Sequence, residues 1–189
     1  MSVPAPTGFS ASATAASAAS PSTASMANAA TGSAKASAAS STARLQKELM
    51  ELMMGDAEGI TAFPHNDNLF HWVATIQGVR GTPYEGLEFK LSLQFGKNYP
   101  FEAPNVTFIT PCFHPNVDVQ NGMVCLDVLK ENWSAVYTAS HVLLSIQNLL
   151  DHPNNYSPLN NQAAAMWESR DEFRKAVLLT YDTKPLHPL

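Results

Sequence analysis

The run Glu88-Phe-Lys-Leu-Ser-Leu-Gln-Phe95 alternates polar and apolar residues without a break. A period of two marks a β-strand with one buried face and one wet face, the habit of antiparallel sheets. Upstream, Leu69-Phe-His-Trp-Val-Ala-Thr-Ile76 is rich in aromatic and β-branched residues, and Gly78 to Pro83 supplies turn chemistry before the next strand. Downstream, Asn105-Val-Thr-Phe-Ile-Thr110 forms a third strand. Three consecutive strands on short loops predict a meander, and a fourth, weaker strand is expected near Phe63 or ahead of Cys125.

On both sides the period changes. Leu45, Leu49, Leu52 and Met53 recur at helical spacing in Arg44 to Met54, and Gly55 ends that run. Val142, Leu143, Ile146, Leu149 and Leu150 mark a largely buried helix stopped by Pro153. Ala163 to Trp167 suggests a short helix, and Ser169 with Glu172 reads as a capping box before Phe173, Val177, Leu178 and Tyr181. The order helix, strands, helices argues for an α+β domain.

Composition divides the 189 residues in two. Residues 1–43 hold 16 Ala, 11 Ser and a single charge, Lys35, so they are expected to form a disordered Ala/Ser-rich extension without a core. The remainder is long enough to bury a core without disulfide staples. It carries ten basic against sixteen acidic residues, with no Lys/Arg run beyond Arg174-Lys175, so nucleic acid is not an expected partner. No stretch is apolar enough to span a membrane, and no membrane partner is expected. The tail has no apolar core of a secretory signal and no Arg before Arg44, which argues against a transit peptide. Two cysteines, Cys112 and Cys125, make no framework and point to a reducing compartment.

Two regions escape this description, Tyr99 to Pro104 and Pro111 to Tyr137. The second is too long for a structureless connection unless it carries function. In it, Cys125 lies between Val124 and Leu126, which suits either a small buried hydrophobe or a nucleophile. Upstream, His114-Pro115-Asn116 reads either as a turn held by its Asn or as the source of an amide donor for an oxyanion. A thiol protease would need a His base, from His114, His141 or His152, but no signature of such an enzyme surrounds Cys125. Cys112, His114 and Cys125 supply only three zinc ligands and no C-x-x-C pair, so no metal is expected. His71, inside a strand, reads as a structural or edge histidine.

Read together and in order, Tyr99-Pro-Phe-Glu-Ala-Pro104, His114-Pro-Asn116, Cys125-Leu-Asp127 with Trp133-Ser134, and Pro153-Asn154 through Ser157-Pro-Leu159 resemble the ubiquitin-conjugating enzymes. Arg44 to Met54 and Thr110 to Asp118 are most similar to the mitotic branch, which works with the anaphase-promoting complex. The resemblance implies a four-stranded antiparallel meander flanked by an N-terminal helix and C-terminal helices. It implies a catalytic core over residues 44–185 and a flexible C-terminus over 186–189.

By the same carry-over, Cys125 is the thioester nucleophile and Asn116 stabilises the oxyanion or the active-site loop. Asp127 and Ser157 line the approach of the acceptor lysine, with His114 and Pro115 completing the motif. Phe101, Ser134 and Ala135 dock a RING-type ubiquitin ligase, the anaphase-promoting complex being the one the mitotic likeness points to. Arg44, Lys47 and Glu48 face the ubiquitin-activating enzyme. The implied partners are therefore ubiquitin, its activating enzyme and a ligase. No cofactor is expected on the chain, since ATP is consumed by the activating enzyme upstream, and the implied location is cytoplasm and nucleus. The alternatives are a conjugating enzyme for another ubiquitin-like modifier and a non-catalytic ubiquitin-binding variant. Two departures stand out: Asn116 and Cys125 are one residue farther apart than in the family pattern, and Thr138-Ala-Ser-His141 replaces a segment that carries a basic residue and an Asp in the mitotic branch.

Overall fold

The computed structural model describes residues 1, 23–55, 58–183 and 185–186, with side chains described from residue 39 onward. It divides into two compact units, Met1–Ala34 and Lys35–Leu189. In the first unit the described segment is the helical backbone from Thr23. The disorder expected for the extension falls partly on residues 2–22, outside the described residues, as do 187–189 of the expected flexible C-terminus.

The sheet is a meander of four antiparallel strands in the order β1 (Ile60–His65), β2 (Asn68–Gln77), β3 (Glu88–Gln94) and β4 (Asn105–Phe108). Of the two places anticipated for the fourth strand, the one around Phe63 is β1. Asn66 and Asp67 join β1 to β2 with φ of 49° and 59°, both left-handed, as a tight hairpin turn requires. Pro64 is tolerated because β1 is an edge strand, where a missing N–H costs no inner ladder bond. In β3 the alternating residues Phe89, Leu91 and Leu93 are fully buried, as their period predicts. Ser92, on the other face, is also buried, and its hydroxyl hydrogen-bonds His71 Nε2 at 2.8 Å across the β2–β3 pair.

Four helices accompany the sheet: α1 (Thr23–Met54), α2 (Ala139–Asp151), α3 (Asn161–Met166) and α4 (Arg170–Tyr181). The amphipathic run expected to open a helix at Arg44 instead continues one that begins at Thr23, since the Ala-rich residues before it are good helix formers. Ser41, on the extension side of the expected boundary, is buried and donates to the carbonyls of Lys97 and Tyr99. Leu186 is tied back by its N–H to the Ile109 carbonyl at 3.0 Å. Thr138 caps α2 by accepting the His141 N–H, and Asn160 caps α3 through Ala163 N–H. The capping box expected at Ser169 does not form, because the Ser169 side chain makes no cap bond and only its carbonyl accepts the Phe173 N–H.

The expectation that Arg44, Lys47 and Glu48 all face outward is corrected for Glu48, which is only 3% exposed. An isolated buried carboxylate would be very costly, so its oxygens must be satisfied. They accept the Tyr99 hydroxyl at 2.8 Å and the Ala139 N–H at 2.6 Å, and Arg44 pairs with the same group. Ala139 opens α2, so Glu48 places a negative charge on the free N–H groups and positive dipole end of that helix. Arg44 donates onward to the Tyr137 carbonyl at 3.1 Å, and its charged form is further favoured by the hydrogen bond to Glu48. Burial, together with the Glu48 charge, holds the Tyr99 phenol well above its usual range, so it remains a donor.

Removing Glu48 leaves a buried phenol and a helix N–H without their acceptor and takes the carboxylate partner from Arg44, which keeps the Tyr137 carbonyl. Glu48→Ala is therefore expected to cost about 3 kcal/mol, whereas Lys47→Ala on the exposed face should stay within about 0.5 kcal/mol. Urea unfolding of the two variants checks this difference.

Candidate active site

The irregular stretch from Pro111 to Tyr137 is organised by three consecutive residues, His114, Pro115 and Asn116. The His114 ring is fully buried. Its Nδ1 accepts the Asn116 N–H at 3.0 Å, so the proton sits on Nε2, which donates to the Leu149 carbonyl at 2.9 Å near the end of α2. The Pro115 carbonyl accepts the N–H groups of Leu159 and Asn160 at 2.8 and 3.0 Å, just before α3. Asn116 makes a reciprocal pair with the Asn154 backbone, Nδ2 donating to its carbonyl and Oδ1 accepting its N–H, both at 2.8 Å. The Asn116 carbonyl accepts the Cys125 N–H at 2.9 Å. Three residues thus fasten the end of α2, the 154–160 loop and the Cys125 backbone to one point.

Between Asn116 and Cys125 the chain makes a hairpin. Val117 bridges Val124, Asp118 N–H donates to Met123 O, and Asp118 Oδ1 accepts the N–H groups of Gln120 and Asn121. Gly122 adopts φ +68°, and its carbonyl accepts the Phe108 N–H. An added Cβ there would lie 2.3 Å from the Phe108 carbonyl oxygen, so only glycine permits this approach. The position ahead of Cys125, the other place considered for a strand, therefore contributes bridges and not a strand of its own. The turn of this hairpin, residues 119–121, lies outside the bonds that hold Cys125.

Cys125 itself is half-buried, whereas Cys112 is 2% exposed and its thiol is pushed up by burial. Cys125, Asp127, Asn132, His152 and Asn154 line a shallow groove. Asp127 is exposed and opens a short 3-10 turn, Asp127–Leu129, whose carbonyls turn the chain back so that Lys130 Nζ lies 3.1 Å from Cys125 Sγ. Ser157 is exposed on the loop fastened by Asn116 but does not line the groove, and the neighbouring Tyr156 is fully exposed. His114 has both nitrogens committed, so it serves neither as a base for Cys125 nor as a metal ligand. Among the described residues no group of three His, Cys, Asp or Glu could hold a metal ion.

A second surface forms beside the groove. Trp133 Nε1 donates to the Pro100 carbonyl at 2.8 Å, which ties the 99–104 loop to the 133–137 loop. Phe101 is 77% exposed on the first loop; on the second, Ser134 and Ala135 are half-buried and Val136 is 75% exposed. Arg44 is half-buried against Glu48, and Lys47 is exposed beside Glu51 at 3.6 Å. The sequence reading did not single out Lys130 or Val136. Neither lies in a periodic pattern, and Lys130 meets the sulfur only because of the 3-10 turn.

The family model described as ubiquitin-conjugating enzyme matches residues 44–181. The chain belongs to the ubiquitin-conjugating enzymes. It is 52% identical over 143 residues to the ubiquitin-conjugating enzyme E2-20 kDa of Schizosaccharomyces pombe, covering 74% of this chain and 80% of that protein. Among solved structures it is similar to one described as a novel ubiquitin-conjugating enzyme, at 34% identity and a TM-score of 0.68, covering 72% of this chain and 91% of the other. A ubiquitin-conjugating enzyme domain from Toxoplasma gondii matches at 35% identity and the same TM-score, covering 76% and 98%. Ubiquitin-conjugating enzymes are thioester-forming transferases that work with ubiquitin, an activating enzyme and ligases, and the meander with its helices is their fold.

Burial pushes the His114 ring down to about 3, against about 6.5 for a free histidine. The unfolded chain therefore takes up this proton first as pH falls. The stability associated with the neutral ring is fully present above about pH 6.5 and is lost toward pH 3, at about 1.4 kcal/mol per pH unit. Denaturant midpoints measured between pH 7 and 4 should fall accordingly, and the His114 ring resonances should not titrate above about pH 5.

Proposed function

We propose that Cys125 accepts the ubiquitin C-terminus from the activating enzyme as a thioester and passes it to lysines of substrates or of ubiquitin, together with a ligase. The observation that carries this reading is the contrast between the two thiols: Cys125 opens onto a groove and its N–H is held by the Asn116 carbonyl, while Cys112 is sealed in the core. ATP is used upstream by the activating enzyme, and the chain needs no cofactor of its own.

In this reading Asn116 is a positioning residue. Its amide is engaged on both sides by Asn154, so it fixes Asn154 at the groove and with it the loop that carries Ser157. Asp127 and Ser157 meet the acceptor lysine, whose side chain is mostly protonated in neutral water and must lose a proton before it can attack the thioester carbonyl. Phe101 on the first of the two tied loops and Val136, beside Ser134 and Ala135, on the second offer an exposed apolar surface to a RING-type ligase. Lys47 and Arg44 on α1 meet the activating enzyme. The motifs at Arg44 to Met54 and Thr110 to Asp118 favour a mitotic role with the anaphase-promoting complex in cyclin degradation, in cytoplasm and nucleus.

Incubation with ubiquitin, its activating enzyme and ATP should give a thiol-sensitive adduct in wild type and Cys112→Ser. In Cys125→Ser the adduct should be lost or become thiol-resistant. An adduct only with another ubiquitin-like protein would select the other-modifier alternative, and none with any donor the non-catalytic one. Asn116→Ala removes two hydrogen bonds and should lose about 2 kcal/mol of stability along with slower discharge to lysine. A fall in discharge of about 10²- to 10³-fold with unchanged stability would instead mark Asn116 as an oxyanion donor.

A further inference from the structure

Tyr156 is fully exposed, and neither its ring nor its hydroxyl has a partner among the described residues. The loop beneath it is nevertheless held at both ends. Asn154 N–H donates to Asn116 Oδ1 at 2.8 Å, and Asn154 Oδ1 in turn accepts the Tyr156 N–H at 3.0 Å. At the far end the Pro115 carbonyl takes the Leu159 and Asn160 N–H groups. Pro153 and Pro158 restrict the backbone further, each fixing its own φ and narrowing the residue before it. A large ring therefore stands in solvent on a preformed loop, two residues beyond Asn154, which lines the Cys125 groove. A tyrosine has only two side-chain torsions to fix, so covering it costs little entropy, which suits a contact that forms and breaks with each partner.

We propose that Tyr156 is a specificity-determining residue of the acceptor side: its ring receives a cationic side chain next to the acceptor lysine, so that lysines in basic segments are preferred. This rests on Cys125 being the thiol that carries ubiquitin. A lysine that reaches the Cys125 thioester brings its own polypeptide over the rim of the groove, and the 154–160 loop is continuous with that rim.

The charges around the groove select the occupant. Asp127 lines it, Asp151 lies 3.8 Å from the lining residue His152, and Glu131 acts on Lys130 from the same turn, so three carboxylates stand against the one ammonium of Lys130. An acidic segment would meet like charge there. An apolar neighbour of the lysine would gain only the area of the ring. A lysine or arginine gains both the negative face of the ring and the surrounding carboxylates.

The test compares full-length wild type, Tyr156→Ala and Tyr156→Phe. Each is charged with ubiquitin, charging is stopped, and loss of the thioester is followed with three acceptors. These are free lysine, an N-terminally acetylated peptide with one lysine flanked by arginines, and the same peptide flanked by glutamates. Wild type should discharge faster to the arginine peptide than to the glutamate peptide. In Tyr156→Ala the second-order rate constant for the arginine peptide should fall about two- to fivefold, the size of an exposed cation–π contact. Charging and discharge to free lysine should stay unchanged, and Tyr156→Phe, which keeps the ring, should stay close to wild type. A residue that only shaped the loop would slow free lysine as much as the peptides.

Unchanged discharge of Tyr156→Ala to the arginine peptide would overturn the proposal. Equal slowing with all three acceptors would overturn it too and make Tyr156 a loop residue, and equal slowing with both peptides alone would replace the cationic occupant by plain apolar packing. A wild-type protein that carries no thioester on Cys125 would remove the acceptor site itself. That failure is read at charging, before any acceptor is added, whereas the role of Tyr156 is read only in discharge.

Discussion

Both ring nitrogens of His114 are committed, one to the Asn116 N–H and one to the Leu149 carbonyl, and the site takes its shape from that commitment. A neutral buried imidazole has one donor and one acceptor, and here each has a single backbone partner. The ring therefore sets the turn at Pro115 and its distance from the end of α2 together. Pro115 and Asn116 then fasten the loop before α3, Asn154 and the Cys125 backbone. The thiol stands on a rigid support, and the groove walls come from segments far apart in the chain. A histidine that in another thiol enzyme would be the base is here the anchor.

A second buried polar centre, Glu48, braces α1 and the loops around Tyr99 and Trp133 in the same way. It joins α1 to Tyr99 and to the start of α2. From Tyr99 a line of ring contacts runs both ways, to Phe95 and Trp72 in the sheet and to Trp133, Tyr137 and His141 on the other side. Tyr99 also precedes Pro100, whose carbonyl receives the Trp133 indole. The helix read as meeting the activating enzyme and the loops read as meeting a ligase are thus braced on one carboxylate and one phenol.

Much of the fold was legible because each strand and helix carries its own period. The alternation in Glu88–Phe95 and the helical spacing around Val142 to Leu150 needed no tertiary information. The exceptions are places where a tertiary partner decided the outcome. Glu48 looks like a surface residue on an amphipathic helix, and only the α2 terminus and Tyr99 draw it inside. Ser169 and Glu172 match a capping box in sequence, yet the local backbone leaves the cap bond unmade. The start of α1 was misplaced because an Ala-rich run has high helix propensity without amphipathic pattern. For the site, the ordered motifs pointed to Cys125 and Asn116, but the link between Asn116 and Asn154 and the return of Lys130 to the sulfur depend on loop geometry that has no periodic signature.

The hairpin between Asn116 and Cys125 is fixed at its base, where Val117 bridges Val124 and Gly122 is pressed against Phe108, and its tip bears on neither the sulfur nor the groove. Length at that tip is mechanically decoupled from the position of the thiol. Residues 119–121 act as slack in the chain: a residue gained or lost there changes the outline of the surface while the reactive atom stays where it was.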